Sequence, residues 1–143
     1  MIRALSISEL HKAIYLANRF FILAKEPGVF NPDCFISFWV KQYEANKGVI
    51  LAQTDSFNNV VAIFGFTLYN DPWTNDLNAG ELFWHSEQGN SGYLVKKALS
   101  IAKQIGVKNF FLQHTTTLTP DKVEKFYRKL GFTPVFNQYR KEL

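Results

Sequence analysis

Apolar positions along the chain switch repeatedly between strand and helix spacing. Ile2 to Leu5 reads as a short strand, and Leu10, Ile14, Ala17 and Phe21 then recur at helical spacing. Ser6-Ile7-Ser8-Glu9 has the S-x-x-E form of a capping box for that helix, and Pro27-Gly28 punctuates its end. Asn31 as N-cap, Pro32 at the first helical position and Asp33 in the first turn open a second helix. Phe35, Phe38, Trp39 and Tyr43 give it an aromatic face, and Gly48 closes it. Val49 to Gln53 and Val60 to Tyr69 predict two strands joined by the polar turn Asp55 to Asn59. An exposed loop, Asp71-Pro72-Trp73-Thr74-Asn75, precedes a strand at Glu81-Leu82-Phe83-Trp84.

A polar turn, Ser86 to Gly92, then leads into a helix from Tyr93 to Ile105, with Leu94, Ala98, Ile101 and Ile105 on one face and Gly106 as its stop. Asn109 to Gln113 predicts a buried strand. Thr119-Pro120-Asp121 caps a last helix that turns Val123, Phe126, Tyr127 and Leu130 inward, and Phe132 to Glu142 supplies one or two closing strands. The order is β-α-α-β-β-β-α-β-α-β. Consecutive middle strands predict antiparallel pairing, and the strand–helix–strand unit around Tyr93 to Ile105 predicts a parallel crossover. The expectation is a mixed α/β fold whose central sheet is mostly antiparallel, with helices on both faces.

Composition narrows the function classes. At 143 residues, 47% apolar and 20% charged, the chain suits one domain, 1–143, that needs no metal or disulfide for its core. Fourteen Phe, six Tyr and three Trp imply a dense core and an aromatic-lined cleft. Cys34 is the only cysteine and reads as a buried apolar residue; beside three scattered His it predicts no structural zinc. No apolar stretch is long enough for a bilayer, and the N-terminus lacks signal-peptide blocks, so a reduced cytoplasmic setting without a membrane partner is expected. The net charge of +4 comes from lysines grouped around Lys96-Lys97, Lys122 to Lys129 and Arg140-Lys141. That grouping reads as solvated helix faces and a phosphate-attracting rim, not as a nucleic-acid stripe.

Two stretches carry candidate chemistry. From Glu81 to Val95 a strand enters a turn of small and polar residues and a helix leaves it. The first amides of that helix lack intrahelical acceptors and lie at the positive end of its dipole, which makes a cradle for a diphosphate. Read by itself, the same pattern also describes a plain tight connection. The second stretch is Phe126-Tyr127-Arg128-Lys129-Leu130-Gly131-Phe132. Tyr127 there is either a core aromatic or a phenol placed to donate a proton.

In this order and spacing the two stretches resemble the Gcn5-related N-acetyltransferase (GNAT) superfamily. The family carries its coenzyme A loop between a strand and a helix, and Tyr127 to Phe132 matches its "Tyr-x-x-x-Gly-Phe" ending. The resemblance spans the chain and is firmest from Glu81 to Phe132. The segments around Asp71-Pro72-Trp73 and Glu81 to Trp84 are similar to small members encoded by tailed bacteriophages. One departure stands out. The family loop reads Arg/Gln-x-x-Gly-x-Gly/Ala, and here either Ser86 or Gln88 takes the first place, in a shortened turn without the usual proline.

The resemblance implies acetyl-CoA as acyl donor, no metal, and direct attack of an amine on the thioester. The acceptor would be a small molecule or a protein amine, and the protein a monomer or homodimer. It implies Tyr127 as general acid and Glu81 as general base, with His85 and His114 as alternative proton relays. Coenzyme A would be held by Phe83, Trp84, His85, Gln88, Gly89, Asn90, Ser91, Gly92 and Tyr93, the strand amides near Phe83 and Trp84 polarising the thioester oxygen. Phe30, Tyr69 and Trp73 are expected to line the acceptor side, as loop aromatics flanking the central strands. The altered loop keeps a second reading open: a GNAT fold that binds acyl-CoA or a protein partner without turnover, as a phage accessory or virion component.

Overall fold

The computed structural model describes residues 1–116 and 118–143. Five strands, β1 (Ile2–Ala4), β2 (Gly48–Thr54), β3 (Val60–Asn70), β4 (Leu77–Ser86) and β5 (Asn109–Phe111), form one sheet in sequence order. The first four pair antiparallel; β5 joins β4 in parallel after the crossover helix α3 (Gly92–Gln104). Two helices, α1 (Ile14–Leu23) and α2 (Pro32–Glu44), precede β2, and α4 (Pro120–Lys129) follows β5. The architecture is the mixed, mostly antiparallel sheet that the sequence predicts.

Period-two alternation divides the core between the two faces of the sheet. Ile50, Ala52, Ile63 and Phe83 pack with Leu16, Ala17 and Trp39 of α1 and α2. Leu51, Ala62, Phe64, Phe66 and Ala79 pack with Leu94, Val95 and Ala98 of α3, and Phe126 and Leu130 close over them. Gly65 belongs to this division. A Cβ there would stand 2.6 Å from Phe83 Cζ and 2.9 Å from Trp39 Cζ2, so only glycine lets those two rings meet over β3.

Several local expectations are corrected. The Ser6–Glu9 box is not made: Ile7–Ala13 is a 3-10 segment, Ser6 lends no side-chain cap, and the Glu9 carboxylate pairs with Arg3 instead. Its pKa is lowered by that guanidinium. Thr119 sits in the left-handed region at φ 37° and makes no side-chain cap to α4, leaving Pro120 and Asp121 to start the helix. β4 begins at Leu77, four residues before the expected strand. Asn78 looks like loop in sequence but is buried, its amide donating to Asp71 and its carbonyl accepting from Asn109.

Gly48 does not end α2; it opens β2, and Asn46 makes the turn at φ 54°. Ile105 is exposed, and Ala102 takes the buried place on α3. Cys34 is exposed in the first turn of α2, whose cap is made as expected: Asn31 Oδ1 accepts from the Cys34 amide at 3.0 Å. The closing strand is not formed between Phe132 and Glu142. Pro134 offers no amide to a ladder, and Arg140 pulls the segment toward the end of α1, 3.5 Å from Glu26 Oε2 and 3.3 Å from the Lys25 carbonyl.

Candidate active site

The site is built where β4 and β5 part. Their pairing covers only Asn78 to Gly80 against Asn109 to Phe111. On the other side of β4 the register slips: Gly65 faces Phe83 while Phe66 faces Glu81, so Leu82 is an extra residue, a β-bulge. The bulge resets the alternation. Glu81 and Trp84 both end up lining a small cavity on the α4 side, while Leu82 and Phe83 line a larger one against α2.

Glu81 sits at the point of parting and fills the gap that a ladder bond would occupy. Its Oε2 accepts from the Gln113 amide at 3.0 Å, and its carbonyl accepts from Gln113 Nε2 at 3.4 Å. Tyr127, on the inner face of α4, donates its hydroxyl to the Gln113 carbonyl at 2.8 Å, with Glu81 Oε2 3.5 Å away. The two residues are 46 positions apart in sequence and share one buried spot. Burial pushes the Glu81 carboxyl up from 4.5 to about 7; the Gln113 amide and the Tyr127 hydroxyl pull the other way and only partly offset it. Burial, and then the charge of Glu81, raises the Tyr127 phenol further above its ordinary value, so it stays protonated. A carboxyl poised near neutrality beside a phenol that keeps its proton is a base and an acid in one cavity.

Among the described residues nothing pairs with the outer edge of the strand leaving this point. Glu87 donates its amide to the Val61 carbonyl. By antiparallel alternation His85 and Phe83 also direct their backbone groups at β3, and Trp84 and Ser86 direct theirs at the open edge. Of the two amides singled out in sequence, therefore, Trp84's faces the gap and Phe83's does not. Phe83 is instead a core ring, 5.6 Å from Trp39 and 5.9 Å from Phe35. Trp84 stacks 6.3 Å from Tyr127 and donates Nε1 to Ser91 Oγ at 2.7 Å, tying the start of α3 to the strand.

The turn itself is closed by Ser86, whose Oγ donates to the Gly89 carbonyl at 2.9 Å and accepts from the Gln88 amide at 3.2 Å. Gln88, Gly89 and Asn90 are exposed, and Gly92 and Tyr93 supply the first amides of α3. Glu87 would oppose an anion here, but His85 Nε2 at 3.2 Å and Arg19 Nε at 3.1 Å hold its oxygen and keep its pKa low. His85 is thereby turned toward Glu87. His114 lines the small cavity with its ring 6.4 Å from Tyr127.

The two glycines differ in kind. Gly89 has φ +68° and open space where a Cβ would point, whereas a Cβ on Gly92 would meet Phe126 Cζ at 2.9 Å. Gly92 is small for α3–α4 packing. Gly92→Ala should cost about 1–3 kcal/mol of stability through overpacking, read as a fall in Tm. Gly89→Val should leave the core intact and, if the turn holds coenzyme A as the resemblance implies, weaken its binding at least tenfold by titration calorimetry. Equal affinity in the folded Gly89 variant would remove the turn from the binding site.

The expected acceptor aromatics separate. Phe30 lies 5.9 Å from Phe21 and 5.7 Å from Phe35 and lines the larger cavity. Tyr69 and Trp73 line neither cavity. Trp73 is 92% exposed in the β3–β4 turn, where Asp71 Oδ1 binds the Trp73 and Thr74 amides and leaves the ring in solvent. Gln113 went unnoticed in sequence because its links to the Glu81 carboxylate and the Tyr127 hydroxyl run through its backbone, which no residue pattern reports.

Among the described residues no group of His, Cys, Asp or Glu is placed to hold a metal ion, and no helix is long and apolar enough to cross a membrane. No protein-family model matches the chain, and no curated protein matches it. Solved structures do. A predicted acetyltransferase from Clostridium acetobutylicum, determined with acetyl-CoA, aligns at TM-score 0.80 and 14% identity over 99% of this chain and 95% of its own. A probable acetyltransferase aligns at TM-score 0.79 and 11% identity, covering 100% and 97%. Ribosomal-protein-alanine N-acetyltransferase from Brucella melitensis biovar Abortus 2308 aligns at 0.72 and 14%, covering 100% and 98%. The chain has the GNAT acetyltransferase fold.

Proposed function

We propose that this protein is an acetyl-CoA-dependent N-acetyltransferase acting on a primary amine. The observation that carries the reading is the pair of buried side chains Glu81 and Tyr127, joined through the backbone of Gln113 at the parting of β4 and β5. The free edge of β4 fits the donor's pantetheine arm, because an extended chain bearing amides can add to a strand edge as a further strand would. The amides of Trp84 and Ser86 lie on that edge, and those of Gly92 and Tyr93 open α3 where a pyrophosphate would rest. Acetyl-CoA supplies an acyl group activated as a thioester.

The chain's own groups then divide the work. Glu81, with its pKa near 7, accepts the proton of the attacking amine, directly or through a water shared with His114. The Trp84 amide donates to the oxygen that gains charge. Tyr127 releases its proton to the departing sulfur after turning its hydroxyl away from the Gln113 carbonyl. The surrounding rings exclude water and hold the reactants together.

The test is to incubate the purified protein with acetyl-CoA and a panel of amines and to follow acetylated product by mass spectrometry. Product formation above the uncatalysed rate is expected for at least one class. A second reading is favoured by the shortened Ser86–Gly92 turn, in which Ser86 or Gln88 takes the place of the family's Arg or Gln and the Glu87 carboxylate stands beside it: a fold that holds acyl-CoA without turnover. It predicts tight coenzyme A binding and no product from any amine. Either reading fits the cytoplasm, where acyl-CoA is available and the exposed Cys34 thiol stays reduced. The resemblance to phage-encoded members would make that the host's cytoplasm.

A further inference from the structure

The small cavity that holds Glu81 is bounded from both sides of the sheet. Trp84, Val123 and Tyr127 line it on the α4 side. Phe20 lines it too, although it belongs to α1 and packs with the core on the other face. The cavity encloses about 50 Å3. A cavity that admits one benzene ring measures about 150 Å3, so this one has room for about two non-hydrogen atoms beside Glu81. Its walls differ in freedom. Glu81 and Tyr127 are fixed by the backbone of Gln113, and Trp84 by Ser91 Oγ at 2.7 Å. Phe20 is half-buried, and its ring rests 6.4 Å from that of Phe83. It can therefore be cut back without breaking a hydrogen bond that positions Glu81 or Tyr127.

From this we infer that Phe20 sets the acceptor specificity, restricting it to primary amines whose nitrogen is carried by an unbranched methylene, with the rest of the molecule outside the cavity. The assignment rests on the transferase reading and narrows its amine to a class. The nitrogen has to come within hydrogen-bond reach of the Glu81 carboxylate to give up its proton. Nitrogen and the carbon bearing it then use the space that Phe20, Trp84 and Tyr127 leave. Each methyl group added to that carbon has to displace a ring, and overpacking of this kind is costly. A slender end such as an aminoalkyl chain meets no such obstacle, whatever its body is made of.

The isomers n-butylamine and tert-butylamine have nearly equal basicity and differ in branching at the carbon that bears nitrogen. With acetyl-CoA, the parent's kcat/KM should favour n-butylamine by at least about 100-fold more than the uncatalysed acetylation rates do. Phe20→Ala should bring that preference to within about tenfold of the uncatalysed one. Phe20→Leu keeps an apolar side chain against the core and should move the preference the same way, which decides the matter should the alanine variant not fold. A preference that neither variant changes would overturn the inference. Titration calorimetry of both isomers separates it from the reading on which it rests. Binding of n-butylamine at least about tenfold tighter than tert-butylamine, with no product from either, would keep Phe20 as the selecting wall and remove the transferase reading. Acetylation of both by the parent in the uncatalysed ratio would do the reverse, and equal binding without product would overturn both.

Discussion

Replacing Tyr127 by phenylalanine is expected to lower kcat about 10²–10⁴-fold, the usual weight of a positioned general acid. The ring stays, and with it the contacts to Trp84 at 6.3 Å and Phe132 at 5.9 Å. What leaves is the hydroxyl, and the Gln113 carbonyl loses the donor it holds at 2.8 Å. Losing that bond costs about 0.5–1.5 kcal/mol, which a Tm shift of a few degrees would register. Coenzyme A affinity should hold, since the phenol touches neither the turn nor the first amides of α3. The useful comparison is therefore single-turnover rate against Kd for the same protein. A rate equal to the parent's, with chemistry rate-limiting, would return Tyr127 to the role of a core aromatic. Because its pKa is raised, Tyr127 should add no falling limb to the pH–rate profile below the ordinary phenol range.

Glu81→Gln should separate activity from stability with opposite signs. The variant cannot accept a proton, so kcat/KM should fall by about 10²-fold or more. The parent's kcat/KM should rise with pH through about 7 as Glu81 ionises, and the variant should lose that rise. Stability runs the other way. Folding lifts the Glu81 pKa from 4.5 to about 7, so between those values the native state binds the proton more tightly than the unfolded chain does. Stability therefore falls as pH rises across that window, by up to about 3 kcal/mol. Below pH 4.5 the two proteins should melt alike, and at pH 8 the glutamine variant should melt higher. Urea titrations at pH 4.5 and pH 8 decide the matter: a variant less stable than the parent at pH 8 would mean that Glu81 is stabilised as the carboxylate.

The sequence made the fold legible wherever side chains themselves encode local geometry. The Asn31-Pro32-Asp33 start of α2 is visible because each residue has a cap-specific reason to be there, and the Asn31 bond to the Cys34 amide is present. The faces of β2 and β3 follow from alternation. β4 was only half legible: Asn78 and Gly80 break the apolar pattern, since Asn78 is buried through hydrogen bonds and not through hydrophobicity. Leu82-Phe83-Trp84 is apolar throughout, so no alternation exists from which a bulge could be seen. The same limit applies to the site. Glu81 and Tyr127 could be named from pattern and resemblance, and the fold sets them 3.5 Å apart. Gln113, which links them through its backbone, leaves no signature. Loop position marked Trp73 as an acceptor residue, but which end of the sheet a loop occupies is a long-range property, and the turn that carries Trp73 joins β3 to β4 at the end away from Ser86.

The extra residue at Leu82 has a consequence for how this chain can vary through evolution. Leu82 is 40% exposed, so many side chains should be accepted there with little effect. Its place outside the ladder is another matter. Were Leu82 drawn into a regular ladder, the alternation of β4 would run unbroken from Ala79, carrying Phe83 onto the face of Glu81 and Trp84 across to the side of α2. The indole would lose Ser91, the aromatic cavity would lose its floor, and Gly65 would have no ring to make room for. Position 82 is thus tolerant of letters as long as its residue stays outside the ladder. In any lineage that keeps this chemistry, sequences should vary freely at that position, and those that lack it should keep the faces of Glu81, Phe83 and Trp84 in a regular ladder without the bend.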